Sequence, residues 1–151
     1  METFDDGLIA GTSKGTVKRV IALSRSISRG ARVLDAPAGQ GVISKLLVAK
    51  GYAVTALNLD KDAFRVSGIP LVTGDMNKGL PFEDGSFSYV VCVGGIEHLE
   101  NPYALIREFK RILAPGGHLL ITTPNISALR SRGKYLLTGF HNKAEKPLTE
   151  E

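Results

Sequence analysis

The chain has 151 residues, of which 43% are hydrophobic and 23% charged. Those proportions exclude intrinsic disorder, a collagen-like repeat and a coiled coil, and the length predicts one domain with a sizeable core and no room for a second, substrate-binding one. Its 19 Lys and Arg against 15 Asp and Glu give a net charge of +4, modest and mostly scattered, so no nucleic-acid partner is expected.

The opening Met1-Glu2-Thr3-Phe4-Asp5-Asp6 has neither the basic start nor the apolar stretch of a secretion signal. No apolar run approaches the roughly 20 residues of a membrane span. The single cysteine, Cys92, cannot form an internal disulfide, which fits a reducing compartment, and a cytoplasmic location is expected. Val17, Val20, Ile21 and Ile27 predict a first helix over 13–28, ending near Gly30. The run Ala31-Arg32-Val33-Leu34 is a first strand that stops at Asp35. Val42, Ile43, Leu46, Leu47 and Ala49, closed by Gly51, predict a helix apolar on one face. Residues 53–57 form a second strand, 61–66 a short helix and 71–73 a third strand. Residues 89–93 form a fourth strand. Ala104, Leu105, Phe109, Ile112 and Leu113 then make a helix that Pro115-Gly116-Gly117 ends, before a fifth strand over 119–122.

Strands apolar on both faces, separated mostly by helices, predict a parallel sheet covered on each side. Right-handed crossovers bring the carboxyl ends of such strands to one edge, where ligands bind. The residues that end the strands are therefore the candidates for function.

The first strand ends in Asp35-Ala36-Pro37-Ala38-Gly39-Gln40-Gly41 and runs straight into a helix. Glycines there let a ligand approach the backbone and let the helix pack on the strand. With an acid at the strand end and Gly39 and Gly41 at fixed spacing, the segment resembles the first motif of class I methyltransferases that use S-adenosylmethionine (SAM). Pro37 stands where that family usually has its first glycine; it lacks an N–H and fixes φ near −65°. Further along, Gly74-Asp75-Met76 matches the family's adenine site. Leu80-Pro81-Phe82-Glu83-Asp84-Gly85-Ser86-Phe87 is similar to its connector into strand four, and Leu113-Ala114-Pro115-Gly116-Gly117 to its turn into strand five. The resemblance covers about 30–125, with the motifs in the family's order.

The resemblance implies an α/β fold, a Rossmann-like three-layer sandwich with a mostly parallel sheet of about five strands in the order 3-2-1-4-5. It implies SAM as methyl donor and S-adenosylhomocysteine as product. Asp35, Ala36, Pro37, Gly39 and Gly41 would pass along the methionine portion, and Asn58 and Leu59 would meet the ribose side. The family's ribose acid falls at Asn58, with Asp60 two residues later as the other candidate. Asp75 and Met76 would hold the adenine, and Val93 and Gly94 would lie near the reactive methyl. Glu97 and His98 follow, a pair that many small-molecule methyltransferases of this type carry. His98 could accept a proton from the nucleophile, or both residues could organise the loop and cap the next helix. Two side chains do not make a metal site, and no metal is expected.

Methyl transfer to a small-molecule acceptor is the leading reading. A SAM- or nucleoside-binding module that regulates a partner is the alternative from another class. A nicotinamide-binding Rossmann domain is a further one, since Gly39-Gln40-Gly41-Val42-Ile43-Ser44 partly matches that fingerprint. The five basic residues Arg130, Arg132, Lys134, Lys143 and Lys146 against the one acid Glu145 make an anionic acceptor conceivable. Ile126, Leu129, Leu136 and Leu137 predict one more helix over 126–140. The polar tail His141–Glu151 is unsuited to the strand pair that usually closes the family's sheet. The expectation is one domain over 1–151, with 126–151 a helical and basic tail, that is either truncated or a five-stranded variant. Strand five would then be an exposed edge that invites a homodimer.

Overall fold

The structure, a computed structural model, describes residues 2–4, 7–125, 132, 136 and 137. It opens with a hairpin that the sequence patterning did not predict: β1 (Glu2–Thr3) pairs antiparallel with β2 (Ile9–Ala10). Its turn is closed by hydrogen bonds from the Gly7 N–H to the Phe4 carbonyl and from the Phe4 N–H to the Leu8 carbonyl. Two-residue strands lie below the length at which alternation can be read.

Helix α1 (Lys14–Leu23) starts at Ser13, whose hydroxyl accepts from the Thr16 N–H at 3.1 Å. It is shorter than the expected 13–28, and Ser24–Ser26 continue as a 3₁₀ turn. The cause is local. Ser24 is buried, its hydroxyl donates back to the Ile21 carbonyl at 2.9 Å, and its own carbonyl accepts from the Tyr52 hydroxyl at 2.6 Å.

The rest alternates as expected through β3 (Arg32–Asp35), α2 (Val42–Ala49), β4 (Ala53–Asn58) and β5 (Leu71–Thr73). It continues with β6 (Phe87–Val93), α3 (Pro102–Ile112) and β7 (Leu113–Thr122). The expected helix over 61–66 is only a 3₁₀ turn at Lys61–Ala63. Strands β3 to β7 form one parallel sheet in the order β5-β4-β3-β6-β7, the predicted 3-2-1-4-5. Strand β7 begins six residues earlier than expected. Phe87 pairs with Leu113 and Tyr89 with His118, so Pro115-Gly116-Gly117 form an irregular bulge within the strand. Gly116 adopts φ 76° there.

Alternation along the strands divides the core between the two faces. Val33, Val54 and Val91 pack with Val17 and Val20 of α1 and Val42, Ile43 and Leu47 of α2. Leu34, Leu57 and Val90 pack with Leu105, Phe109 and Ile112 of α3. The result is a three-layer α/β sandwich. The strand order reverses beside β3, between β4 and β6, so the carboxyl ends of β3, β4, β5 and β6 share one edge. Among the described residues no helix is long and apolar enough to cross a membrane. The expected helix over 126–140 and the basic tail lie outside the described residues, apart from Arg132, Leu136 and Leu137.

Candidate functional site

Asp35 ends β3 and is wholly buried. Its Oδ2 accepts from the Ser44 hydroxyl at 2.6 Å, and among the described residues its Oδ1 has no hydrogen-bond partner. Burial pushes this carboxyl up from an ordinary 3.8 to about 7, against an opposing pull from the Ser44 hydroxyl and N–H. An orphaned carboxylate oxygen in a dry place is costly unless something else satisfies it.

The loop after Asp35 is tied to the neighbouring strands. The Ala36 N–H donates to the Val91 carbonyl and the Ala38 N–H to the Leu57 carbonyl, both at 2.9 Å. Gly39 adopts φ 54°, and a Cβ there would meet nothing within 4 Å, so space is open above it. Gly41 is different: at φ 92° its Cβ would come within 2.7 Å of Phe64 and of Val66. Its glycine is needed for packing as well as for the turn. Pro37 packs directly on Gly95, where a Cβ would lie 2.9 Å from the proline Cγ and 3.3 Å from the Cys92 sulfur. Burial, then the charges of Glu97 and Asp35, push the Cys92 thiol up to about 12, so it is a neutral packing group.

Asn58, at the tip of β4, is buried and occupied at both ends of its amide. Its Oδ1 accepts from the Gly39 N–H at 3.2 Å and its Nδ2 donates to the Asp60 carbonyl at 2.7 Å. An aspartate here could make the first bond but not the second. Asp60 caps the 3₁₀ turn by accepting from the Asp62 N–H at 2.9 Å. Between them Leu59 is 68% exposed, an apolar side chain held out at the sheet edge.

At the tip of β5, Asp75 Oδ1 accepts from the Asn77 N–H at 2.9 Å, and Lys78 Nζ lies 3.9 Å from Oδ2. Asn77 in turn accepts from the Glu100 N–H at 3.1 Å, linking the tips of β5 and β6. Met76 is partly buried against the α3 side of the core. Beyond β6, Val93 and Gly94 lead to a 3₁₀ turn at Ile96–His98, on which Glu97 and His98 are both exposed. Neither caps α3. Asn101 does so, accepting from the Ala104 N–H at 3.0 Å, which corrects the helix-capping half of their structural alternative.

The sheet thus brings Asp35, Ala36, Pro37, Gly39, Gly41, Asn58, Leu59, Asp75, Met76, Val93 and Gly94 to one edge, with Glu97 and His98 just past it. Three contributors were not singled out by the sequence reading: Asn77, which lies outside the motifs, and Ser44 and Gln40, which lie within them without an assigned role. The Gln40 side-chain carbonyl accepts from the Ile9 N–H at 2.8 Å. For Ser44 a signal existed, a hydroxyl within the apolar face of α2. The residues present fit a nucleoside donor with a cationic end. Asp35 offers an unpartnered acceptor, Gly39 leaves open space, Leu59 supplies an apolar surface and Asp75 retains acceptor capacity.

The model of a family described as a methyltransferase domain matches residues 34–121, and the chain belongs to that family. Relatives include ubiquinone biosynthesis O-methyltransferases of Xanthomonas oryzae and Xanthomonas campestris, 34% and 33% identical over 105 residues. The matched region is 64% of this chain and 44% of each relative, so the chain spans less than half the length of those enzymes. Among solved structures, a protein of Pyrococcus horikoshii superimposes with a TM-score of 0.67 at 26% identity, covering 82% of this chain and 65% of that one. A phosphoethanolamine N-methyltransferase of Haemonchus contortus, in complex with SAM, gives 0.67 at 22% identity, covering 76% and 29%. At that identity the second likeness shows the fold alone.

Proposed function

We propose that residues 1–151 form one donor-binding domain that takes SAM across the tips of β3, β4, β5 and β6 and delivers its methyl group to a small-molecule acceptor. The observation that carries this is the unpartnered Oδ1 of buried Asp35, at the motif position of a chain in the methyltransferase family. A bound sulfonium supplies an already activated methyl group. The chain has then to bind, orient and exclude water, and orientation alone can lower a barrier by about 7–11 kcal/mol in favourable cases. Asp35 would meet the ammonium of the methionine portion, Gly39 and Gly41 would let the backbone pass close, and Asp75 with Met76 would receive the adenine. Asn58 is the ribose candidate by its place at the tip of β4, with a second lone pair on Oδ1 beside Gly39, and Asp60, whose turn uses Oδ1, is the other.

His98, on the turn after β6, would accept a proton from the acceptor at an imidazole nitrogen, with Glu97 beside it. The names of the curated relatives support a small acceptor methylated at oxygen. Calorimetric titration with SAM and NADH in parallel tests the reading. Binding of NADH but not SAM would reject it. SAM binding without turnover across a panel of hydroxylated acceptors would instead assign a donor-binding module that regulates a partner. Asn58 lends that second reading some weight, since no carboxylate stands at the ribose position.

A further inference from the structure

Ser44 sits in the first turn of α2, wholly buried, on a face whose other buried residues are Val42, Ile43 and Leu47. A buried hydroxyl on an apolar helix face costs free energy unless it is bonded, and alanine is the better helix former. Its side-chain hydrogen bond goes to Asp35 Oδ2. The same carboxylate keeps Oδ1 free although it is fully enclosed. One oxygen is thus anchored and the other withheld.

We propose that Ser44 is a positioning residue of the donor site, holding Asp35 so that its ionised carboxylate offers Oδ1 to the ammonium of the bound donor. This rests on the reading of the site as a SAM site. Among the described residues, two groups oppose the effect of burial on the Asp35 carboxyl, first the Ser44 hydroxyl and then the Ser44 N–H. In the sheet Asp35 lies between Ala56 of β4 and Val91 of β6. Cys92 of β6 is held neutral, and Glu97, on the turn beyond, adds negative charge. From α2, Ser44 faces Asp35, helped by the positive end of that helix.

The consequence is a pH-dependent grip on the amino-acid end of the donor. Asp35 takes up a proton as the pH falls below about 7, and an α-ammonium loses its own above about 8. Affinity for S-adenosylhomocysteine should therefore peak near neutrality. Affinity for 5′-methylthioadenosine, which lacks the amino-acid end, should stay flat.

The test is calorimetric titration of both nucleosides between pH 5.5 and 9, against the wild type, Ser44→Ala and Ser44→Thr. Ser44→Ala is expected to weaken S-adenosylhomocysteine roughly tenfold at pH 7.5, the scale of one hydrogen bond to a charged group. It should also move the acid limb to higher pH, while 5′-methylthioadenosine is unaffected and Ser44→Thr restores both features. Equal weakening of the two nucleosides, or an acid limb that does not move, overturns the role of Ser44 alone. If the wild type binds neither, the donor reading falls and this inference with it. Should Ser44→Ala fail to fold, Ser44→Cys, a side chain of similar size whose S–H is a weak donor, takes its place with the same expected shift of the acid limb. A flat S-adenosylhomocysteine curve across pH 7 is incompatible with an ionised Asp35 as the ammonium's partner.

Discussion

A carboxyl raised to about 7 by burial works against the empty fold. Its pKa in the folded chain lies above the unfolded value, so the native state binds the proton more tightly. Native stability is then highest below about pH 4 as far as this group is concerned. It declines as pH rises from about 4 to 7 and reaches its full penalty above that. The shift corresponds to something on the order of 4 kcal/mol. Urea unfolding of the donor-free chain at pH 5 and pH 8 should show that decline, and Asp35→Asn should remove it by keeping the side chain neutral throughout. The same substitution should abolish the preference for S-adenosylhomocysteine over 5′-methylthioadenosine. Equal pH slopes for wild type and variant would show that Asp35 is not the group responsible. Legibility at this scale was uneven. Asp35, Asp75 and the two glycines stand at strand ends, where spacing exposes them. The pairing of Ser44 with Asp35 crosses from helix to strand and could not be read until the turn between them had a shape. Asn58 was found by position, but its two backbone bonds depend on how Gly39 and Asp60 fold towards it.

Between elements, the closest approach at the site edge is that of Pro37 to Gly95. A methyl group at Gly95 would collide with the proline ring, and overpacking of this kind costs about 1–3 kcal/mol. Gly95→Ala is therefore expected to destabilise by that amount. Pro37→Gly in the same chain should recover most of it, because the ring is what the methyl meets. A double-mutant cycle by urea unfolding with no coupling between the two positions would contradict the contact. On the α3 side, Arg111 ties down the connector to β6. Its guanidinium donates to the carbonyls of Leu80 and Phe82, to Asp84 and to Glu108, and Glu108 accepts in turn from the Leu80 N–H. The hydrogen bond from Arg111, then that from the Leu80 N–H, holds the Glu108 carboxyl down at about 2. This stabilisation is complete above the ordinary carboxylate range and is lost as pH falls towards 2. Arg111→Ala should lower stability by about 2 kcal/mol at neutral pH, with a smaller loss in acid, and a neutral result in chemical unfolding would refute the clamp. The connector itself was legible as a motif. Its clamp was not, since an acid and an arginine three apart on a helix usually pair only with each other.

At the scale of the molecule, apolar strand runs broken by helices were enough to read a parallel sheet, and the order of its strands came from the family resemblance. Short-range geometry escaped: the two-residue hairpin strands, the 3₁₀ turn at Ser24–Ser26 and the bulge at Pro115-Gly116-Gly117 carry too few residues for periodicity to act on. The sheet that results has consequences at its margin. Strand β7 runs for ten residues and, among the described residues, pairs with β6 only. Among the described residues nothing pairs with its other side, along a strand that contains Leu119, Leu120 and Ile121. Such an edge is a template for another strand unless something covers it. We propose that this edge pairs with that of a second copy as concentration rises. Sedimentation equilibrium should then show a monomer–dimer transition with rising concentration, and the amides of Leu119–Thr122 should exchange more slowly as the dimer fills. A monomer at every concentration, with those amides protected to the same degree throughout, would mean that the chain covers its own edge and would remove the dimer. Rapid exchange at every concentration would remove it as well, because the edge would then be open to water.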